Sequence, residues 1–513
     1  MNDDLRRGVL AAAGVWYFVG VSSSTIIVPM PNRIPGPNAD GGPAADPHGA
    51  ATKKFEKPNS ELLFPDWPEN PKPALVIALT GEMNGYLRPC GCSEGQSGGL
   101  ARRAGLLAFL RDTLKLNVLA VDLGDVVGDK HKLEEMRFDA ARKGLVKLGY
   151  KVVALGRQDL TIPLLSLLQK LANETDGLKT VVGNIKAADK DMQAILEQSS
   201  KPIEMIEISG RKVAVGSLMD PEFVKDGNAE IKLDPVDAAS TAMLKAADKA
   251  EIKVLLAYMS KEKAIDFVKK NPGWDVMLTR AGGDDAHAQL DQHREGNTLI
   301  VQAGRKGKWT GVVGYWPDAK FNYRYAVVEA NPSFDEIASV EEIYNGFIKQ
   351  IADSDVLTTW SKLPHVNGDE YVGAETCGKC HTKAYKKWSS EVEGSTHGKG
   401  HGHAFAFESL KKDKAKFQTS NPECLECHTT GFNFRTGFVA EAKSPKLLGN
   451  QCENCHGPGK RHSDNKDDLA ARKQMKLSQL DVNKKCGECH DADNSPRFVF
   501  EKYWPKVAHP WRD

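Results

Sequence analysis

Residues 452–462 read CENCHGPGKRH: two cysteines two residues apart, a histidine directly after them, and a second histidine six residues on. The same Cys-x-x-Cys-His arrangement recurs as CGKCH at 377–381, CLECH at 424–428 and CGECH at 486–490. Zinc ribbons also use Cys-x-x-Cys pairs, but they need no histidine after the second cysteine. Disulfide frameworks give no reason for such pairs either. With only 14 histidines in 513 residues, four successive placements directly behind a thiol pair are not chance. The spacing has another chemical reason. Two thiols on one turn of helix reach the two vinyl groups of a porphyrin and form thioethers, and the adjacent histidine is aimed at its iron. Cys377 with Cys380, Cys424 with Cys427, Cys452 with Cys455 and Cys486 with Cys489 are therefore expected to anchor four c-type haems. His381, His428, His456 and His490 are the expected proximal ligands.

Around these motifs stand further histidines, His397, His401, His403, His462 and His509, a load that solvated loops alone do not explain. The stretches YVGAETCGKCH (371–381), HAFAFESL (403–410), NPECLECHTTGF (421–432), LGNQCENCHGPGKRH (448–462), KKCGECHDADNSPRF (484–498) and WPKVAHP (504–510) resemble the tetrahaem cytochrome c-554-like family. The resemblance covers residues 371–513. It implies that His403, His462 and His509 are distal iron ligands, three for four irons. The added glycine-rich HGKGHGH (397–403) makes His397 or His401 a candidate to replace His403 or to serve the remaining iron. Apolar runs are too few here for an ordinary core, so short helices packed round haems are expected.

At 513 residues the chain is too long for one core, and its net charge of +1 gives no reason to expect a nucleic-acid partner. After Arg6 and Arg7, residues 8–30 carry no charge at all. Roughly 20 such residues span a bilayer as a helix. Arginines in front of the run favour a cytoplasmic N-terminus and an exported body. Residues 1–30 read as a signal-anchor, with a cleaved signal peptide as the competing reading. Export fits haem attachment, which takes place on that side of the membrane. The Pro/Gly-rich residues 31–73 read as an extended linker.

From Ala74 to about residue 350, strand-length apolar runs alternate with helical-period segments. Examples are ALVIAL (74–79), NVLAVDLGD (117–125), KVVALG (151–156), KVAVGSL (212–218), KVLLAYM (253–259) and WDVMLT (274–279). Such alternation predicts an α/β domain. GGLARRAGLL (98–107), VDLGDVVG (121–128), KLGYKVVALGRQD (147–159) and VQAGRKGKWTG (301–311) resemble, in order, the 5′-nucleotidase-like metallophosphoesterases. That resemblance implies a two-metal centre, yet of its ligand motifs only Asp125 is kept. The other positions read Thr80-Gly81-Glu82-Met83-Asn84, Gly156-Arg157-Gln158-Asp159, Ala257-Tyr258-Met259 and Thr279-Arg280-Ala281-Gly282. Histidines in the domain are limited to His131, His287 and His293, none expected at a strand end. A dinuclear site needs several imidazoles or carboxylates converging on two cations, so no phosphoesterase activity is expected. Cys90 and Cys92, in RPCGC behind the first strand, are candidate redox or metal thiols, with a structural turn as the alternative.

Together these features lead us to expect a membrane-tethered, periplasm-facing electron-transfer protein: a degenerate phosphoesterase-like α/β domain, 74–350, ahead of a mainly α tetrahaem domain, 371–513. Its expected partners are a redox donor and a redox acceptor protein. The alternatives are a multihaem reductase or oxidase of a small nitrogen or sulfur compound at an open haem, or a working nucleotidase.

Overall fold

The computed structural model describes residues 55–509 apart from 90–95, 129–132, 174–176, 225–227, 282–291, 303, 320–321, 366, 391–401, 414, 478, 492 and 496–497. The apolar run 8–30 and the residues Cys90, Cys92, His131, His287, His397 and His401 lie outside the described residues. Among those described, no helix is long and apolar enough to cross a membrane.

The apolar runs become two six-stranded sheets. The first runs, edge to edge, Tyr323–Glu329, Trp309–Tyr315, Leu75–Thr80, Val118–Asp122, Tyr150–Ala154 and Lys179–Val181. Its last four strands are parallel; Trp309–Tyr315 pairs antiparallel with Leu75–Thr80, and Tyr323–Glu329 pairs antiparallel with Trp309–Tyr315. In the second the order is Gln292–Glu295, Thr298–Gln302, Val276–Thr279, Ile252–Tyr258, Arg211–Met219 and Ile203–Ile208, with parallel central strands and antiparallel edges. His293 sits on one of these edge strands with Nε2 3.4 Å from Glu295 Oε2.

Side chains alternate across a strand with a period of two, and the second sheet shows it. Val254 and Leu256 join the core shared with the first sheet, whereas Leu255 and Ala257 face Met243, Phe267 and Trp274 on the outer helical side. The helices Val236–Ala246 and Lys261–Lys270 supply Met243 and Phe267 to that outer layer. On the first sheet's side, Leu106, Phe138, Leu145, Phe347 and Ile348 come from the helices Leu100–Ala108, Glu134–Lys147 and Ala338–Asp353. Truncating a fully buried strand residue such as Leu256 to alanine costs about 2–5 kcal/mol.

Beyond Glu329 the described residues contain no strand, only isolated bridges such as Leu363 to Phe434. From Ala374 on, α-helices of five to nine residues replace the sheets. The apolar core here is small: Tyr371, Phe407, Leu410, Cys424, Leu425, Phe432, Phe438 and Leu447. Residues 51–513 nevertheless form one compact unit. Polar contacts join the α/β part to the helical part. Arg88 pairs with Asp413 at 3.3 Å, Arg137 with Glu423 at 3.0 Å, and Lys306 and Lys308 both with Asp493.

Candidate functional site

Each Cys-x-x-Cys-His motif lies on or at the end of a short helix: Ala374–Gly378, Pro422–His428, Cys452–His456 and Gln479–Gly487. Where the motif leaves the helix, the turn is still closed. His381 N donates to Cys377 O at 2.9 Å and His490 N to Cys486 O at 2.8 Å. None of these eight cysteines is joined in a disulfide.

The helices are fixed by polar groups that sequence reasoning did not single out. Glu453, an x of its own Cys-x-x-Cys, is 1% exposed and accepts from the backbone N–H of Val372, Gly373 and Gly459 at 2.7–3.1 Å. Gln451 Oε1 accepts from Ala374 N at 2.6 Å. The first and third motifs are thereby bolted together, and the Cys377 and Cys452 thiols come within hydrogen-bonding reach of each other. Cys427 and Cys489 form a second such pair. Burial first, then the nearby Cys486, pushes the Cys455 thiol up to about 11. Cys424 is pushed up by burial.

Histidines far apart in sequence stand in pairs. Ring centroids are 6.2 Å apart for His381 and His462, 6.0 Å for His403 and His490, and 5.8 Å for His456 and His509. These distances have a plain metrical meaning. A metal bonded to one nitrogen of each ring at about 2 Å keeps the nitrogens about 4 Å apart and, with ring radii added, the centroids about 6 Å apart. His462 thus faces His381, the histidine of a different motif from the one beside it in sequence.

The other ring nitrogens are tied back. His428 Nδ1 lies 2.6 Å from Ala406 O, His456 Nδ1 2.7 Å from Met475 O, and His490 Nδ1 2.9 Å from Ser495 Oγ. A carbonyl can only accept, so Nδ1 carries the proton at His428 and His456 and Nε2 is left with a lone pair for a metal. Burial lowers the pKa of His456, His462 and His490 below the ordinary imidazole range, which keeps them neutral and able to ligate.

A second cluster lies at the strand ends of the α/β part, where such folds place ligands. Glu82, Asp125, Gln158, Tyr258 and Arg280 converge there from five segments. Tyr258 OH donates to Asp125 Oδ2, and Gln158 N donates to Asp125 Oδ1 at 2.7 Å. Arg280 pairs with Glu82 at 3.1 Å and stacks over Tyr258 and Phe223, with Arg305 3.8 Å from the same carboxylate. Ala281 N donates to Glu82 Oε2 at 2.6 Å. Asp159 accepts backbone N–H groups of Asp125, Val126 and Gly156 at 2.8–2.9 Å. Guanidinium charge therefore balances these carboxylates. Among the described residues no group of three or more His, Cys, Asp or Glu side chains could hold a metal ion.

Backbone strain gathers at the same place. Glu82, Asn84, Asp125 and Lys306 all adopt left-handed φ between 47° and 58° without being glycine. Gly124, at φ 96°, has no room for a Cβ, which would stand 2.4 Å from Gly156 N. Burial, then the neighbouring Asp125 carboxylate, pushes Asp159 up to about 7. Burial also raises Asp125 and Glu82 above the usual carboxylate range.

Residues 376–457 match the family described as cytochrome c554 and c-prime. Cytochrome c-554 of Nitrosomonas europaea is 31% identical over 144 residues, which is 23% of this chain and 57% of that relative. The chain thus spans little more than half the length of this cytochrome. Among solved structures, 59% of this chain is similar to 62% of the 5′-nucleotidase precursor of Thermus thermophilus, at 18% identity and a TM-score of 0.47. The chain is also similar to the sulfate thiohydrolase SoxB of Thermus thermophilus at 13% identity, with a TM-score of 0.46 over 56% and 62%.

The cytochrome c554 match covers the first three motifs and stops before the fourth, 486–490. It implies c-type haem as the cofactor. The residues present fit that group. Opposite His381, His462 Nδ1 is buried with no hydrogen-bond partner, a polar atom in need of one.

Proposed function

We propose that this chain carries electrons, one at a time, through four covalently bound c-type haems, between a donor and an acceptor protein at the periplasmic face of a membrane. Residues 8–30 would tether it there. The observation that carries this reading is the set of three histidine pairs, each at the separation a ligated metal requires, next to thiol pairs spaced for thioethers. When bound, each haem supplies an iron that accepts and returns a single electron.

The protein's own residues do the rest. The cysteines would fix the haems in position, His381, His428, His456 and His490 would ligate iron, and His462, His403 and His509 face the histidines of the first, fourth and third motifs. Cys377 beside Cys452 and Cys489 beside Cys427 bring the first motif to the third and the fourth to the second.

In this reading the α/β part does no phosphate chemistry, because Arg280 and Arg305 supply the positive charge at its strand ends. Incubation with phosphate esters and Mg²⁺ or Mn²⁺ is expected to release no phosphate; turnover that Asp125→Ala abolishes would contradict this. The electron-transfer reading is tested by the reduced-minus-oxidised spectrum of the exported protein. It is expected to show low-spin c-type bands with haem remaining on the chain after denaturation. Haem that washes out, or zinc in its place, would overturn it.

A further inference from the structure

The four attachment helices are not anchored alike. The first and third hold each other through Glu453 and Gln451. The second and fourth are held by the α/β part. At the second, Tyr344 on the helix Ala338–Asp353 donates to Gln418 Oε1 at 3.3 Å and accepts from Asn421 Nδ2 at 3.1 Å. Asn421 is the N-cap of the helix Pro422–His428, accepting from Glu423 N at 3.1 Å, and Gln418 Oε1 also takes the Cys424 Sγ contact at 3.2 Å. Gln418 and Asn421 are each 3% exposed. Arg137, 2% exposed, pairs with Glu423 on the same helix. Arg88 reaches Asp413 just upstream, and Asn345 Oδ1 accepts from Lys416 N at 2.9 Å. At the far end the helix is tied to its own domain, through His428 Nδ1 and Ala406 O.

Behind the fourth motif, Asp493 is gripped by Lys306 and Lys308, and Gln96 Nε2 donates to its carbonyl at 2.6 Å. Lys306 is itself left-handed, and its N–H donates to Glu82 O at 2.9 Å. The fourth motif is thus moored to the strained strand-end cluster where the phosphoesterase resemblance would place metals.

We propose that the α/β part is a positioning element for the second and fourth haems, acting through Tyr344, Arg137 and Arg88 at one and Lys306 and Lys308 at the other, and that it sets their reduction potentials apart from those of the first and third. The proposal rests on the haem reading above. A proximal histidine sits at the end of each moored segment, so a small shift of the helix changes ligand angle and burial, two of the levers that set a haem potential. Tyr344→Phe removes one hydroxyl without emptying the site, and Asp493→Asn removes the charge that two lysines hold.

The experiment uses full-length, haem-loaded protein, with potentials assigned haem by haem from the paramagnetically shifted NMR signals. Tyr344→Phe is expected to move the second haem by at least threefold in its electron-exchange equilibrium with the others, about 30 mV for one electron. Asp493→Asn is expected to do the same at the fourth. The first and third haems stay in place in both variants. No shift at any haem, an equal shift at all four, or a shift confined to the first and third would overturn the proposal. The covalent haem count is taken on the same samples. A wild-type count of zero sinks the haem reading itself, whereas a full count with unmoved potentials sinks only the positioning role.

Discussion

The imidazoles of His381 and His462 stand with ring centroids 6.2 Å apart and their planes at 41°. His462 lies six residues beyond His456 yet faces the histidine of the first motif, so CENCHGPGKRH contributes to two sites. His462→Ala is expected to open one iron. About a quarter of the ferric haem should turn high-spin, and the reduced protein should gain a carbon monoxide adduct in the same proportion. An unchanged spectrum with unchanged carbon monoxide binding would show that His462 ligates nothing.

Replacing Cys452 and Cys455 together with alanine removes the thioether anchors of one motif. The expected product carries one covalent haem fewer, measured by intact mass. It should also be less stable, because the Glu453 helix bolts the first motif to the third. Loss of no haem would remove that motif from the count of four.

What the sequence could disclose follows the range of each interaction. The thiol–thiol–histidine spacing is local, so all four motifs were legible. Central strands such as Ile252–Tyr258 were legible as well, because burial on both faces leaves an unbroken apolar run. The edge strands Ile203–Ile208 and Tyr323–Glu329, part-exposed and mixed in polarity, escaped notice, as did the three-residue pair Ile185–Ala187 and Ile231–Leu233. Arg280 could be seen as a departure from a metal-ligand motif. That it pairs with Glu82, nearly two hundred residues away, could not. The same holds for Tyr344, Asp493 and the matching of each distal histidine to its proximal partner, all of which depend on tertiary contacts with no local signature.

The carboxylates at the strand ends give a pH signature. Asp159 is raised to about 7 from an ordinary value near 4, so between those pH values the folded chain keeps a proton that the unfolded chain has lost. Stability of the α/β part should therefore fall as pH rises from about 4 to about 7, by at most about 1.4 kcal/mol per pH unit for that proton, and then level off. Asp125→Asn removes the like charge that helps hold the proton and should flatten this slope in thermal unfolding. An equally steep slope in the variant would show that the Asp125–Asp159 pair is not its source.

Asp493 behaves in the opposite sense. Burial works against its charge, but Lys306 and Lys308 outweigh burial and hold the carboxyl below the usual range. Its contribution is thus complete above the unfolded value near 4 and is lost as pH falls through the lower folded one. Asp493→Asn leaves two part-buried ammonium groups without their shared charge. It should cost about 1–3 kcal/mol in denaturant unfolding at neutral pH, with much of the loss recovered by Asp493→Glu. No loss would mean that the lysines re-solvate freely and the mooring is weak.

The central claim is that four haems serve one-electron transfer in this chain. A coulometric reductive titration of the full-length exported protein, followed at the haem visible bands, tests it most directly. The account predicts four electrons taken up per chain and four returned to an oxidant. Uptake of none, or of fewer than four with cysteine thiols still open to alkylation, would contradict it.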